Sequence, residues 1–208
     1  MPRSRTKSWR AFDPVAFAAG QATTGVQGRA GVRTPAAEPV RLVASVKVRI
    51  LGLDPGSRKT GFGVIECGGS NSRQLAHGCI SAGTGAINGR LRLIFEGVQQ
   101  LIEQYQPDEI AVERVFLNRN VDSALKLGHA RGAALCAVPE AVPVFEYAPR
   151  AVKLAVVGFG AAEKEQVAHM MRALLGVEGR IPADASDALA IALCHAHSRR
   201  ALMLGLAR

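Results

Sequence analysis

Cysteine is scarce in this sequence, and its spacing excludes two common kinds of site. The 208 residues include four cysteines, and no two of them have the C-x-x-C spacing that is typical of structural zinc sites. Each lies in or beside an apolar stretch, so we expect buried free thiols in a reducing compartment rather than disulfides. They are Cys67, Cys79, Cys136 and Cys194.

Long apolar runs and acidic residues are also in short supply. No run approaches the roughly 20 residues of a membrane span, and the basic N-terminus lacks the apolar core of a signal peptide. We therefore expect a cytoplasmic protein with no membrane segment. The sequence has 17 acidic residues against 26 Lys and Arg, which gives a net charge of +9. This imbalance favours a polyanionic partner.

The positive charge is concentrated at the N-terminus. Residues 1–47 contain eight basic residues and two acidic ones, a net charge of +6. Residues 1–45 are rich in Ala, Gly, Arg and Pro and have no sustained period, so we predict a flexible basic tail that binds DNA loosely. The alternative is a start codon assigned too far upstream, with the protein beginning near Val46. Residues 46–208 are predicted to form one folded domain.

The hydrophobic periodicity predicts an α/β fold with a mixed five-stranded sheet flanked by helices. The first three strands follow one another through short turns and should form an antiparallel meander. Later strands alternate with amphipathic helices, and Pro107 should end the first of these helices. The predicted strands are 48–54, 62–67, 73–82, 108–116 and 142–148, and the predicted helices are 88–106, 120–138, 149–158, 160–176 and 182–203.

Four acidic residues stand at the ends of predicted elements. Asp54 ends a predicted strand, and sites in α/β proteins lie outside strand ends. Glu113 follows the apolar run IAV in a strand that should be largely buried, where a charge is costly unless it is paired or bound to a metal. Asp184 and Asp187 are three residues apart on one face of a helix. Each has a structural alternative: a turn at Asp54, an exposed sheet edge at Glu113, and helix capping at the paired aspartates. Together they are typical of nucleases that use two Mg²⁺ or Mn²⁺ ions.

An actin-like kinase is a rival interpretation of the first motif. The segment LDPGSRKTGFGVI has the acid, the glycines and the turn of the phosphate-binding loop in that class. Kinases of that class need two such domains and a much longer chain. One domain with a C-terminal D-x-x-D motif favours the nuclease.

Five motifs, in order, resemble those of the RuvC family of bacterial Holliday-junction resolvases. They are ILGLDPGSRKTGFGVIE, AVERVF, NVDSALKLGHARGAAL, VPVFEYAPRAVKLAVVGFGAAEKEQVAHM and ADASDALAIALCH, and they cover about residues 48–200. The resemblance implies a ribonuclease-H-like nuclease domain, a homodimer joined through NVDSALKLGHARGAAL, and cleavage of four-way DNA junctions beside a RuvA–RuvB branch-migration complex. It also implies two Mg²⁺ ions per subunit, replaceable by Mn²⁺, held by catalytic Asp54, Glu113, Asp184 and Asp187.

The same resemblance assigns roles to basic and aromatic residues. Lys153 and Lys164 match lysines implied in catalysis and DNA contact, although by residue type alone they suit solvated helix surfaces. Phe116 matches an aromatic that stacks on bases at the opened crossover, and its alternative is a core position. A non-catalytic junction-binding protein would keep the basic residues without needing four acids. The further candidates for phosphate contact are Arg58, Lys59, Arg114, Arg119, Lys126 and Arg131.

Overall fold

The protein is represented by a computed structural model that describes residues 47–69, 71–114, 121–158, 163–177 and 179–203. In these ranges the strands are β1 (Val48–Asp54), β2 (Lys59–Gly68), β3 (Asn71–Ser81), β4 (Glu109–Glu113) and β5 (Val144–Tyr147). The helices are α1 (Ile87–Tyr105), α2 (Val121–Cys136), α3 (Pro149–Val157), α4 (Lys164–Leu175) and α5 (Ala183–Met203). The predicted element order is confirmed.

The sheet has the order β3-β2-β1-β4-β5. Strands β1, β2 and β3 pair antiparallel, as the predicted meander requires, whereas β4 pairs parallel with both β1 and β5. The mixed sheet is therefore confirmed. Strand β2 begins at Lys59, three residues before the predicted start. The chain leaves β4 after Glu113, three residues before the predicted strand end at residue 116.

Strand β1 is central and is covered on both faces. Ile50 belongs to a core shared with α3, α4 and α5, whereas Leu51 and Leu53 belong to a core shared with α1 and α2. Successive side chains of a strand point to opposite faces, so one apolar run serves both cores. The result is a three-layer arrangement of helices, sheet and helices.

Helix α5 lies directly against the sheet, because glycines on β1 and β2 leave room for its backbone. A Cβ atom at Gly52 would lie 2.1 Å from the carbonyl oxygen of Ala188, and one at Gly63 would lie 2.7 Å from the Leu189 side chain. The residues of α5 from Ala188 to Ala196 are all buried, since α3 and α4 cover its other side. This close packing fixes the position of the N-terminal end of α5, where the two aspartates lie.

The first helix ends where the sequence indicates. Gln106 adopts a left-handed conformation with φ of 47°, and its backbone N–H donates to the Ile102 carbonyl at a distance of 2.9 Å. Pro107 follows at once and cannot continue the helical hydrogen bonding.

The cysteine prediction is partly wrong. All four thiols are free, but Cys136 is exposed on α2, Cys67 and Cys79 are half-buried, and only Cys194 is buried. An apolar neighbourhood in sequence does not decide which face of a helix a residue occupies.

Two further predictions concern the extent of the folded domain and membrane segments. Ser45–Arg208 form one compact unit, whereas the predicted tail, residues 1–45, lies outside the described residues. No helix in the described part of the chain is both long enough and apolar enough to cross a membrane.

Candidate active site

Asp54 and Glu113 are brought side by side by the parallel pairing of β1 with β4. Leu53 pairs with Val112, and extending that register by one residue sets Asp54 beside Glu113. Both acids fall two residues after positions that face α5, Gly52 and Ala111. Because side chains alternate along a strand, both acids point to the α5 side of the sheet. Both are half-buried.

Asp184 reaches the same place through the packing of α5 on β2. Gly61 is the β2 partner of Asp54, and a Cβ atom at Gly61 would lie 2.0 Å from the carbonyl oxygen of Asp184. The first turn of α5 therefore rests on the strand position next to Asp54. Only glycine fits there, since a backbone oxygen cannot swing aside as a side chain can.

Asp187, Glu113 and Lys153 line one cavity of about 260 Å³. Asp187 lies one turn after Asp184 on α5, and Lys153 is a half-buried residue of α3. Apolar side chains of Val152, Val167 and Ile191 form much of the remaining wall. The cavity thus joins one strand acid, one helix acid and one ammonium group.

The start of α5 does not match the N-cap position that the capping alternative gives to Asp184. Helix α5 begins at Ala183, and the Ser186 N–H donates to the Pro182 carbonyl at 2.9 Å. Asp184 is therefore inside the first turn rather than at the cap. Its negative charge still suits the positive end of the helix dipole. Asp54 likewise belongs to the strand, and the Pro-Gly turn begins after it.

The donor set suits a hard divalent cation, since carboxylate oxygens are the ligands that Mg²⁺ and Mn²⁺ prefer. Backbone pairing and helix packing bring four such groups to one end of the sheet. As the side chains are oriented, however, no three Asp, Glu, His or Cys residues of the described ranges are close enough to hold one ion together. The fit of the four acids to a divalent cation therefore rests on where the backbone places them and on the chemistry of their carboxylate oxygens.

Cys79 is an addition that the sequence analysis missed. It pairs with Gly61, so Asp54, Gly61 and Cys79 form one row across β1, β2 and β3. Burial raises the pKa of the Cys79 thiol, and the negative charges of Asp184 and then Asp54 raise it further. Both carboxylates thus act on the same thiol. The predicted meander register could have placed Cys79 here.

Arg131 is the second addition, and its contacts do not suit the predicted phosphate contact. Its side chain is only 12% exposed, and its guanidinium donates to the Glu113 carbonyl and to the Glu146 carboxylate. Arg131 therefore ties α2 to the strand ends beside the catalytic candidate Glu113. The sequence around Arg131 gives no sign that its side chain contacts Glu113 and Glu146, because both residues are distant in the chain.

The remaining basic candidates differ in their surroundings. Arg58 and Lys59 are exposed where β1 turns into β2, next to Asp54. Arg114 is exposed and lies 3.6 Å from Glu146, and exposed Lys126 pairs with Asp122 at 2.7 Å. The predictions for Phe116, Arg119 and the Lys164 side chain lie outside the described residues.

The chain was compared with known proteins. A family model described as "Crossover junction endodeoxyribonuclease RuvC" matches residues 50–195. The RuvC of Methylococcus capsulatus is 54% identical over 155 residues, which are 74% of this chain and 93% of that protein. The RuvC of Shewanella putrefaciens is 53% identical over 155 residues, which are 74% of this chain and 90% of that protein.

Solved structures give the same assignment. T. thermophilus RuvC in complex with Holliday junction substrate superposes with a TM-score of 0.70 at 37% identity, covering 77% of this chain and 98% of that one. The yeast mitochondrial Holliday junction resolvase Ydc2 superposes with a TM-score of 0.58 at 12% identity, over 76% of this chain and 83% of that one, and shows the fold alone. The predicted ribonuclease-H-like fold is confirmed. The chain belongs to the RuvC family of crossover junction endodeoxyribonucleases.

Proposed function

We propose that this protein resolves four-way DNA junctions by metal-dependent hydrolysis of two phosphodiester bonds, one in each of two strands of like polarity. The observation that carries the proposal is the convergence of β1, β4 and the first turn of α5 at one end of the sheet. Asp54 and Glu113 are neighbours by strand register, and Asp184 rests on the β2 partner of Asp54. All four acids are half-buried, and like charges gathered at one place favour a cation among them.

Two Mg²⁺ ions, or Mn²⁺ in their place, would be held by Asp54, Glu113, Asp184 and Asp187. When bound, the ions would supply an activated water and charge stabilisation for the attacking and leaving oxygens. The protein's own part is to orient the scissile phosphate and to fix the four carboxylates. Lys153 faces the same cavity as Glu113 and Asp187, so its ammonium is suited to hold a non-bridging phosphate oxygen.

Exposed basic residues flank the acids and would track the DNA backbone. Arg58 and Lys59 lie beside Asp54, and Arg114 directly follows Glu113. Contacts of this kind fix the position and orientation of the DNA without reading its sequence. Phe116, Arg119 and Lys164 remain predicted DNA contacts, with Lys164 also predicted to act in catalysis beside Lys153.

The proposed dimer uses the outer face of α2. Val121 is 71% exposed and Leu125 is 56% exposed, and a Cβ atom at Gly128 or Gly132 would meet nothing within 4 Å. The two exposed apolar side chains and the two glycines form a stripe that suits the close approach of a second copy. Ala130, one of the small residues in the motif, is buried against the core and takes no part in that face. Two-fold symmetry would present two identical sites to one junction.

Two finer predictions concern the partner complex and the location of the protein. Action with a RuvA–RuvB branch-migration complex and a cytoplasmic location follow from the family and from the composition. Both remain predictions.

Cleavage of a synthetic four-way junction tests the proposal. We expect paired nicks with Mg²⁺ or Mn²⁺, none with EDTA, and products that carry a 5′-phosphate and a 3′-hydroxyl. A linear duplex of the same sequence should stay intact under the same conditions. Tight junction binding with no cleavage in either Mg²⁺ or Mn²⁺ would favour a non-catalytic junction-binding protein.

A further inference from the structure

A chain of partly buried hydrogen bonds joins α5 to β4 and β5. The Tyr147 hydroxyl lies 2.6 Å from Nδ1 of His195, and Nε2 of His195 lies 2.6 Å from the Glu109 carboxylate. Arg199, one turn further along α5, donates to the same carboxylate at 2.9 Å. The Phe145 ring stacks on the imidazole at a centroid distance of 4.3 Å.

His195 is fully committed to these contacts. It is 2% exposed. The neutral imidazole satisfies both neighbours when its Nε2–H donates to Glu109 and its Nδ1 accepts a hydrogen bond from the Tyr147 hydroxyl. Burial lowers the pKa of His195, which favours this neutral form. Neither nitrogen is left to bind a metal or to accept a proton from substrate, so its role is within the protein.

The geometry links this hydrogen-bond chain to the acids. Asp187 and His195 are eight residues apart on α5, about 12 Å along the helix axis. Glu109 and Glu113 are four residues apart on β4, about 13 Å along the strand. Asp187 and Glu113 meet at the cavity, and His195 and Glu109 meet at the other end. Helix α5 and strand β4 therefore run in opposite directions over nearly equal lengths. The contact between His195 and Glu109 joins them at the end away from the cavity.

We propose that His195 is a positioning residue of the metal site: its bonds to Glu109 and Tyr147 fix α5 on the sheet so that Asp187 meets Glu113 and Asp184 lies beside Asp54. A slide of α5 along the sheet would break the bonds at one end and separate the carboxylates at the other. Tyr147 supports the same alignment, since it is the β5 partner of Glu113. This inference rests on the proposed function, because it assumes that the acids hold metal.

The alternative is a histidine that only stabilises the fold. Loss of a structural residue lowers the unfolding temperature but leaves the metal affinity of the folded protein unchanged. Misplacement of the acids lowers the metal affinity even at temperatures well below the unfolding temperature, where the protein is folded. Metal binding therefore separates the two roles.

The experiment measures Mn²⁺ binding to the DNA-free protein by electron paramagnetic resonance, together with thermal unfolding and junction cleavage. His195→Leu removes both hydrogen bonds, and Tyr147→Phe removes a single hydroxyl. Glu109→Gln keeps an acceptor oxygen for the imidazole N–H. His197→Gln is the matched control, because His197 is an exposed neighbour whose Nδ1 lies 3.0 Å from the Ala155 carbonyl oxygen.

We expect His195→Leu to weaken Mn²⁺ binding about ten-fold, the lower end of the range for residues that orient metal ligands. Tyr147→Phe should also weaken Mn²⁺ binding. Glu109→Gln should retain a higher Mn²⁺ affinity than His195→Leu, and His197→Gln should have the Mn²⁺ affinity of the wild type. If His195→Leu does not fold, Tyr147→Phe and Glu109→Gln carry the test.

Wild-type Mn²⁺ affinity in the folded His195 and Tyr147 variants would overturn the inference. Absence of junction cleavage by the wild-type protein would instead refute the proposed function. Because Mn²⁺ binding is measured without DNA, the two failures are distinguishable.

Discussion

Gly61 is the position where one methyl group should disturb the site most. A Cβ atom there would lie 2.0 Å from the Asp184 carbonyl oxygen and 2.5 Å from its carbonyl carbon. Since real Cβ contacts essentially never fall below 3.0 Å, Gly61→Ala must move the start of α5 away from β2 by about 1 Å. That displacement separates Asp184 from Asp54.

The expected effects follow from this displacement. A 1 Å misplacement of catalytic groups typically costs about 100-fold in rate, and overpacking of this kind costs about 1–3 kcal/mol of the free energy of unfolding. For a domain of this size, that lowers the unfolding temperature by about 2–4 °C per kcal/mol.

The assay is single-turnover cleavage of a synthetic junction at saturating protein, with thermal unfolding in parallel. Gly89→Ala is the matched control, since a Cβ atom at Gly89 on α1 meets nothing within 4 Å. It should leave cleavage unchanged and should stabilise the helix by about 0.5–1 kcal/mol. Wild-type cleavage and stability in Gly61→Ala would refute the packing of α5 on Gly61, and with it the proximity of Asp54 and Asp184.

Three further predictions concern other parts of the chain. Arg131→Met should lower the free energy of unfolding by about 1–3 kcal/mol and slow cleavage, whereas Lys126→Met on the same helix, which breaks an exposed ion pair with Asp122, should leave the free energy of unfolding nearly unchanged; equal free energies of unfolding in the two variants would contradict the role given to Arg131. Gly128→Arg should give monomers in sedimentation that nick junctions poorly, and an unchanged dimer would exclude that face. Deleting residues 1–45 should leave folding and cleavage intact but make duplex binding less salt-dependent, with the log–log slope shallower by about 0.9 for each phosphate that the tail neutralises; an unchanged slope would mean that the tail does not touch DNA.

The elements that sequence predicts best are those whose pattern is local. Strand β1 has its predicted bounds, because a run of apolar residues ends in an acid followed by Pro-Gly. Helix α1 has the expected 3.6-residue spacing and ends before Pro107. Strand β2 begins earlier than predicted because Thr60, a β-branched residue of the turn motif, is buried in the sheet.

The contacts that sequence could not give join residues far apart in the chain. Glu109 and His195 are separated by 86 positions, and Arg131 lies 18 positions from Glu113. Nothing in the local pattern around His195 distinguishes a positioning residue from an idle one. The four acids were accessible to sequence reasoning because two follow apolar strand segments and two lie near the start of a helix. Their convergence depends on the strand register and on the glycines that make room for α5.

The central claim is that four carboxylates at one end of the sheet form a single metal site. Its most direct test replaces each charge in turn, with Asp54→Asn, Glu113→Gln, Asp184→Asn and Asp187→Asn, and measures junction cleavage in Mg²⁺ and junction binding in the same buffer. We expect every variant to bind the junction like the wild type and none to cleave it, because transition-state stabilisation needs the complete set of ligands. Cleavage near the wild-type rate by any one of the four variants would remove that residue from the site and refute a single site built from all four acids.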